Sequence, residues 1–318
     1  MTLMPESLSL ADAQSFIRGR FGDKASSLEP LGRGAWSTAY AFSLDGKEVV
    51  ARFGAHADDF AKDQVMSAYS SAQLPMPHVL EVGEAPGGFF AVSARAHGDF
   101  LDELSETKMR AVLPSLLAAL DAVEVIDVSG TTGYGLWTPA GEAPHSTWQE
   151  ALTDIAVDRV GGRIHGWRQA LEASPTGAKP FDDALEVLRG LAPDLPAERH
   201  VIYADWMYHN VLVDGDRINA VFDWGSSMYG DHLYDAAWLL FCWSWSPQLS
   251  AIDIRDELER HWVAQGTLPD DLEHRLLAYQ IHIGLGAQAH NALLGHFDAV
   301  AVSAEQTTKL LKGAAGGD

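Results

Sequence analysis

The chain has 318 residues, 47% of them hydrophobic, with 10 Trp and 12 Phe. That is enough apolar material for an ordered protein of two lobes, and it excludes a disordered chain. The 44 acidic residues against 22 basic ones give a net charge of −22, which repels nucleic acid and membrane lipid and favours a cationic small molecule as partner. Plain solubility of an acidic surface is the competing explanation.

The start, MTLMPESLSL, lacks the basic and apolar segments of a signal peptide, and no stretch is apolar enough to span a bilayer. The lone Cys242 rules out an intramolecular disulfide and fits a reducing cytoplasm. A monomer is expected. Ser9 caps a helix carrying Leu10, Ala13, Phe16, Ile17 and Phe21 at helical spacing. Strands follow at Leu28 to Leu31, Thr38 to Leu44 and Glu48 to Phe53, the last two joined by the Asp45-Gly46 turn. Between the first two lies Gly32-Arg33-Gly34-Ala35-Trp36-Ser37-Thr38, where glycines and hydroxyls such as that of Ser37 suit a loop covering phosphates, or simply a turn.

Arg52 is the one cation in an apolar strand and needs a phosphate or carboxylate partner, unless it caps a sheet edge in solvent. Asp63, on a helix expected from Ala57 to Ser71, is the carboxylate best placed to meet it. Strands at Val79 to Val82 and Phe89 to Ser93 complete a five-stranded antiparallel sheet with at least one helix, and Ala94 to Asp102 reads as a crossing point. Helices are then expected over Thr107 to Ile126, Thr147 to Ala173, Asp182 to Leu191, Asp253 to Gln265 and Leu272 to Leu294, with a loop over Gly130 to Ser146 and a frayed tail from Lys312.

The chemistry concentrates between Val201 and Tyr234. Two short apolar runs, Val211 to Val213 and Ile218 to Phe222, flank Asp214-Gly215-Asp216 and predict a hairpin. Asp205 and Asn210 precede its first strand and Asp223 ends its second, so three oxygen-bearing side chains gather at one end of a ribbon. A base beside oxygen ligands suits phosphoryl transfer from a magnesium-bound triphosphate. Any one of these spacings is common by chance; the specificity lies in the set, which Gly230-Asp231 and Asp235 extend.

In these residues the chain resembles the aminoglycoside phosphotransferase family, a branch of the protein-kinase-like fold. Tyr203-Ala204-Asp205 through Asn210 stands at the family's His-Gly-Asp-x-x-x-x-Asn loop, with Tyr203 in place of its histidine and Arg52 where most members have lysine. The resemblance implies a two-lobed α+β protein: residues 1–96 as a nucleotide-binding lobe with a five-stranded antiparallel sheet, residues 97–318 as a mainly helical catalytic lobe. It implies ATP and Mg2+, with Asp205 as base, Asn210 and Asp223 as metal ligands, and Ser37, Arg52 and Asp63 near the phosphates. The adenine edge would meet backbone groups around Ala94 and Ala96.

Asp231 and Asp235 are candidates for ammonium groups of the antibiotic, although Asp235 equally suits a helix cap. Trp243 and Trp245 offer an aromatic wall for a sugar ring or a place in the core, and His282, His290, His296 and Cys242 read as packing or surface residues. The implied activity is phosphorylation of an aminoglycoside hydroxyl, with hygromycin B the first choice of drug on softer similarities such as Ser146-Thr147-Trp148. A kinase for a cyclic peptide, a macrolide or choline, or a non-catalytic binder of drug or nucleotide, are the alternatives.

Overall fold

The computed structural model describes residues 8–207 and 209–315. Helix α1 (Leu10–Phe21) is capped by Ser9, whose Oγ accepts the Asp12 N–H, and it buries Ala13 and Ile17 against the sheet that follows. That sheet comprises β1 (Glu29–Arg33), β2 (Ser37–Leu44), β3 (Lys47–Gly54), β4 (Val79–Ala85) and β5 (Gly88–Ala94), antiparallel throughout in the order β1-β2-β3-β5-β4. Asp45 and Gly46, both at positive φ, make the tight turn expected between β2 and β3. Helix α2 ends at Ser67 (Ala57–Ser67), four residues earlier than its pattern suggested.

A short crossing strand, β6 (Asp99–Phe100), leads into α3 (Glu106–Glu124), which buries Met109, Val112, Leu113, Leu116, Leu117 and Val123 and stays helical through Pro114. The strand β7 (Gly135–Leu136) lies in the loop before α4 (Trp148–Thr153). The single helix expected over Thr147 to Ala173 is in fact broken. Gly161 and Gly166 take positive φ, and Asp158 accepts the N–H groups of Gly166 and Arg168, so the chain restarts as α5 (Trp167–Ala173).

Helix α6 (Lys179–Leu191) precedes β8 (His200–Ile202), β9 (Val211–Asp214), β10 (Arg217–Val221) and β11 (Met228–Gly230). Then come α7 (Leu233–Trp243), α8 (Ile254–Gln265), α9 (Leu272–Leu294) and α10 (Phe297–Ala315). The last helix had no counterpart in the sequence reading. It carries Lys312 to Ala315 in helical form, where fraying was expected; the final three residues of that tail lie outside the described residues.

Two hydrophobic cores result. One joins α1 to the five-stranded sheet; the other gathers α3 to α9 around the buried α9 and takes in Met66, Leu74 and Met76 from the N-terminal part. Helix α9 packs against α5, α6, α7 and α10. At Gly284 an added Cβ would lie 2.1 Å from Thr307 Oγ1, so only glycine permits α10 to approach this closely.

Between the cores, β6 pairs with β9, Asp99 opposite Val213 and Phe100 opposite Leu212. Gly98, at φ +149°, precedes this pairing, and a Cβ there would meet Val213 O at 2.4 Å. The crossing strand is thereby fastened directly to the hairpin that carries the candidate catalytic groups. No helix among the described residues is long and apolar enough to cross a membrane.

Candidate active site

Strands β9 and β10 form the expected hairpin, turning at Gly215 with φ +62°. Asn210 stands just before β9 and Asp223 just after β10, and Phe222 N–H donates to Asn210 O at 3.1 Å, closing the open end of the ribbon. The loop from β8 to Asn210 is held from two sides. The Tyr203 hydroxyl donates to Phe222 O, and the N–H groups of Tyr203 and Ala204 donate to the two carboxylate oxygens of Asp235 at 2.9 and 2.7 Å. Ala204, His209 and Asp223 all adopt left-handed backbone, a conformation that non-glycine residues keep only where their surroundings enforce it.

Asp205 is half-buried at the centre of this loop. Burial first, then the charge of Asp223, pushes its carboxyl well above the usual range, against a hydrogen bond from Asn210 that favours the anion. Across from it, Arg52 on β3 forms an ion pair with Asp63 on α2 and lies 3.8 Å from Asp223 Oδ2. Asp63 Oδ1 also accepts the Trp224 N–H at 2.7 Å, so one carboxylate holds both the cation and the backbone after Asp223.

The neighbouring Lys62 reinforces this, donating to Gly225 O and Ser227 O at 3.0 Å each. Its burial brings the ammonium pKa down to about 7. Neither Lys62 nor the next anchor was anticipated from sequence. Arg163 pairs with Asp59 and lies over the ring of Trp36 at 5.1 Å, with His56 and His290 at ring edges 5.7 and 5.8 Å away, so the glycine loop is tied to α2 and α9.

A cavity of about 670 Å³ separates the five-stranded sheet from the hairpin. Ser37, Arg52, Asp63, Ala94, Ala96, Asn210 and Asp223 line it, with apolar surfaces from Val50, Met76, Leu212 and Val221; Asp205 is not among the lining residues but interacts with Asn210 and Asp223, which are. Apolar side chains above and below a slot suit a flat base, while the charged end suits phosphates. Ala94 N–H already donates to His78 O, which leaves an incoming base to the remaining backbone groups of the crossing segment. Asn210 and Asp223 also fit magnesium: an amide and a carboxylate oxygen are hard ligands, and the crowding of Asp223 against Asp205 is what a cation relieves.

Three substrate-binding expectations are corrected. Asp231 is fully buried and takes a two-pronged hydrogen bond from Arg275 (Nε at 2.8 Å, a terminal nitrogen at 2.6 Å) and another from the Tyr279 hydroxyl, so it has no oxygen free for an ammonium group. Asp235 is spent on the Tyr203 and Ala204 N–H groups. Trp243 is core, its indole N–H shared between Leu249 O and Ile252 O.

Trp245 is half-buried, donating to Gln306 Oε1 at 3.0 Å. His282 is half-buried, its Nδ1 2.8 Å from the Tyr234 hydroxyl, in keeping with a packing role. The sequence reading passed over one acidic group near the base. Asp102, following β6, raises the pKa of Asp205 by its charge, and with Glu103 it brackets the His209 ring, Glu103 Oε1 lying 2.8 Å from Nε2.

Comparison with known proteins identifies the family and fold. The chain is 33% identical over 313 residues to Hygromycin-B 4-O-kinase of Escherichia coli, covering 97% of this chain and 87% of that protein. A crystal structure of a thermostable mutant of aminoglycoside phosphotransferase APH(4)-Ia, in ternary complex with AMP-PNP and hygromycin B, superposes with a TM-score of 0.82 at 31% identity, over 96% of this chain and 99% of the other. The GDP complex of an aminoglycoside 2′-phosphotransferase-IIIa mutant shares the fold at 14% identity, with a TM-score of 0.63 over 97% and 99% of the two chains. Residues 27–274 match the phosphotransferase enzyme family, and the chain belongs to it.

Proposed function

We propose that this protein transfers the γ-phosphoryl group of ATP to a hydroxyl of hygromycin B, the 4-hydroxyl being first choice by analogy with the Escherichia coli relative. The observation that carries the reading is the convergence of Asp205, Asn210 and Asp223 on one end of the β9–β10 hairpin, with Arg52 across the cavity. Asp205 accepts a hydrogen bond from the drug hydroxyl and aims its oxygen at the γ-phosphorus. As the new O–P bond forms, the bond to the β,γ-bridging oxygen breaks, ADP leaves and the hydroxyl proton passes late to Asp205. Arg52 draws the phosphates toward Asp223; Asn210 and Asp223 would hold Mg2+, and the ion would neutralise charge building on the phosphate oxygens.

The ammonium groups of the drug meet Asp102 and Glu103 in this reading. Gln248 donates to Asp102 O at 2.9 Å, so the turn after α7 that follows Trp245 adjoins the same acidic edge, with Trp245 as a face for a sugar ring. A cytoplasmic location, where ATP is plentiful, fits this reading. Incubation of hygromycin B and a panel of other antibiotics with enzyme and ATP, followed by mass spectrometry, tests the proposal. A gain of one phosphate on hygromycin B supports it; an unchanged drug beside a modified panel member refutes it.

A further inference from the structure

Behind the catalytic loop, outside the cavity between the lobes, Glu198, His200 and His232 bring three ligand atoms within 4.8 Å of one another. The Glu198 Oε2 lies 3.8 Å from His200 Nε2 and 3.5 Å from His232 Nδ1. Two ligands on a tetrahedral zinc ion with bonds of about 2.0–2.1 Å stand roughly 3.4 Å apart, so these separations need little adjustment.

The tautomers also suit coordination. His200 Nδ1 lies 3.0 Å from Glu124 O; a carbonyl only accepts, so the proton sits on Nδ1 and the Nε2 lone pair faces Glu198. His232 Nδ1 is buried and has no hydrogen-bond partner among the described residues. Arg275 is engaged by Asp231 and donates a long 3.4 Å hydrogen bond to Glu198 Oε2, and Asp231 Oδ1 also lies 3.5 Å from His232 Nδ1, so two carboxylates share one guanidinium beside the imidazoles.

We propose that Glu198, His200 and His232 form a binding site for a divalent transition-metal ion, with Zn2+ the fitting occupant for two imidazoles and a carboxylate. The site bridges His200, on β8 opposite Gly230 of β11, to His232 just before α7. Strand β8 leads into Tyr203, and α7 carries the Asp235 that holds Tyr203 and Ala204. A metal here staples the supports of the catalytic loop and takes no part in phosphoryl transfer.

The test uses the full chain stripped with chelator, then titrated with Zn2+ by calorimetry and with Co2+ by visible absorption, beside the Glu198→Gln and His200→Gln variants. The expected result is one Zn2+ per chain and a melting temperature raised by roughly 3 °C at saturation. Each variant loses about ten-fold or more in affinity while kcat/KM stays within about two-fold of wild type. Wild type that binds no Zn2+ below about 100 µM, or binding unchanged in both variants, overturns the proposal. If the variants do not fold, the Co2+ spectrum of the wild type decides: tetrahedral bands support the site, and their absence refutes it.

Discussion

Asp235 and Ala204 are joined by a 2.7 Å hydrogen bond from the Ala204 N–H to a buried carboxylate oxygen, and the other oxygen takes the Tyr203 N–H. The residue before Asp205 is thus fixed in left-handed backbone by a side chain 31 positions further on. Asp235→Asn replaces one acceptor by a donor facing an N–H. We expect kcat to fall about 10- to 100-fold with nucleotide affinity retained, as misplacement of a base requires. Single-turnover kinetics with separate nucleotide titration checks this, and an unchanged kcat would contradict it.

The same substitution carries a pH signature. Burial raises the Asp235 pKa from 3.8 to about 6 despite its two backbone donors. The folded state therefore holds the proton more tightly than the unfolded one. This contribution to stability is complete below about pH 3.8 and is lost as pH rises through about 6. Across that window wild type should lose up to about 3 kcal/mol relative to Asp235→Asn. Denaturant unfolding of both proteins at a series of pH values measures it; parallel curves would show that Asp235 is not strained by burial.

Asp205→Asn should reduce turnover by about 10²–10⁴-fold while leaving fold and nucleotide binding in place. Because burial and the Asp223 charge both raise the Asp205 pKa, the acid limb of kcat/KM should lie above the ordinary carboxylate value of about 3.9. A profile flat down to pH 4 would remove Asp205 as the titrating base.

The parts of this fold that were legible in the sequence are those whose signals are local. Asp45-Gly46 and Asp214-Gly215 announced their hairpins, Ser9 its helix, and the leucine stripe of α3 its buried face. Helix α10 gave no such signal because it meets α9 through small residues, burying Val300, Ser303, Ala304 and Thr307 against Gly284 and its neighbours. The pairing of Arg52 with Asp63 could be guessed from one odd cation and one helix. The fate of Asp231 could not, since its partners Arg275 and Tyr279 lie 44 and 48 residues away.

Arg52→Ala should be costly to the fold as well as to catalysis. It leaves the Asp63 carboxylate buried opposite no cation, a loss of about 3–5 kcal/mol for a broken buried pair. Arg52→Lys keeps the charge but cannot serve Asp63 and the phosphates with a planar fork, so KM for ATP should rise about ten-fold with stability nearly kept. Melting curves together with nucleotide KM separate the two effects. Equal ATP affinity in wild type and Arg52→Lys would take Arg52 out of the nucleotide site.

Trp243→Ala should cost about 3–5 kcal/mol by emptying a core position, and the folded fraction should keep the wild-type KM for drug. Chemical denaturation and steady-state kinetics on the same preparation are sufficient. A raised KM with unchanged stability would return Trp243 to the substrate face.

The acidic edge gives the sharpest test of substrate placement. Glu103 is exposed, holds the His209 ring, and stands beside the Asp102 whose charge is felt by Asp205. In the proposed geometry it attracts the drug's ammonium groups without touching the transferred phosphoryl group. Glu103→Gln should therefore raise KM for hygromycin B about 3- to 10-fold at low ionic strength, leave kcat near wild type, and show a smaller difference at high salt, where a Debye length of about 3 Å at 1 M screens exposed charges. Trp245→Ala on the same edge should raise KM with no such salt dependence, because it removes an apolar face and no charge. If Glu103→Gln alters kcat and not KM, the carboxylate acts on His209 and the catalytic loop, and the drug lies elsewhere.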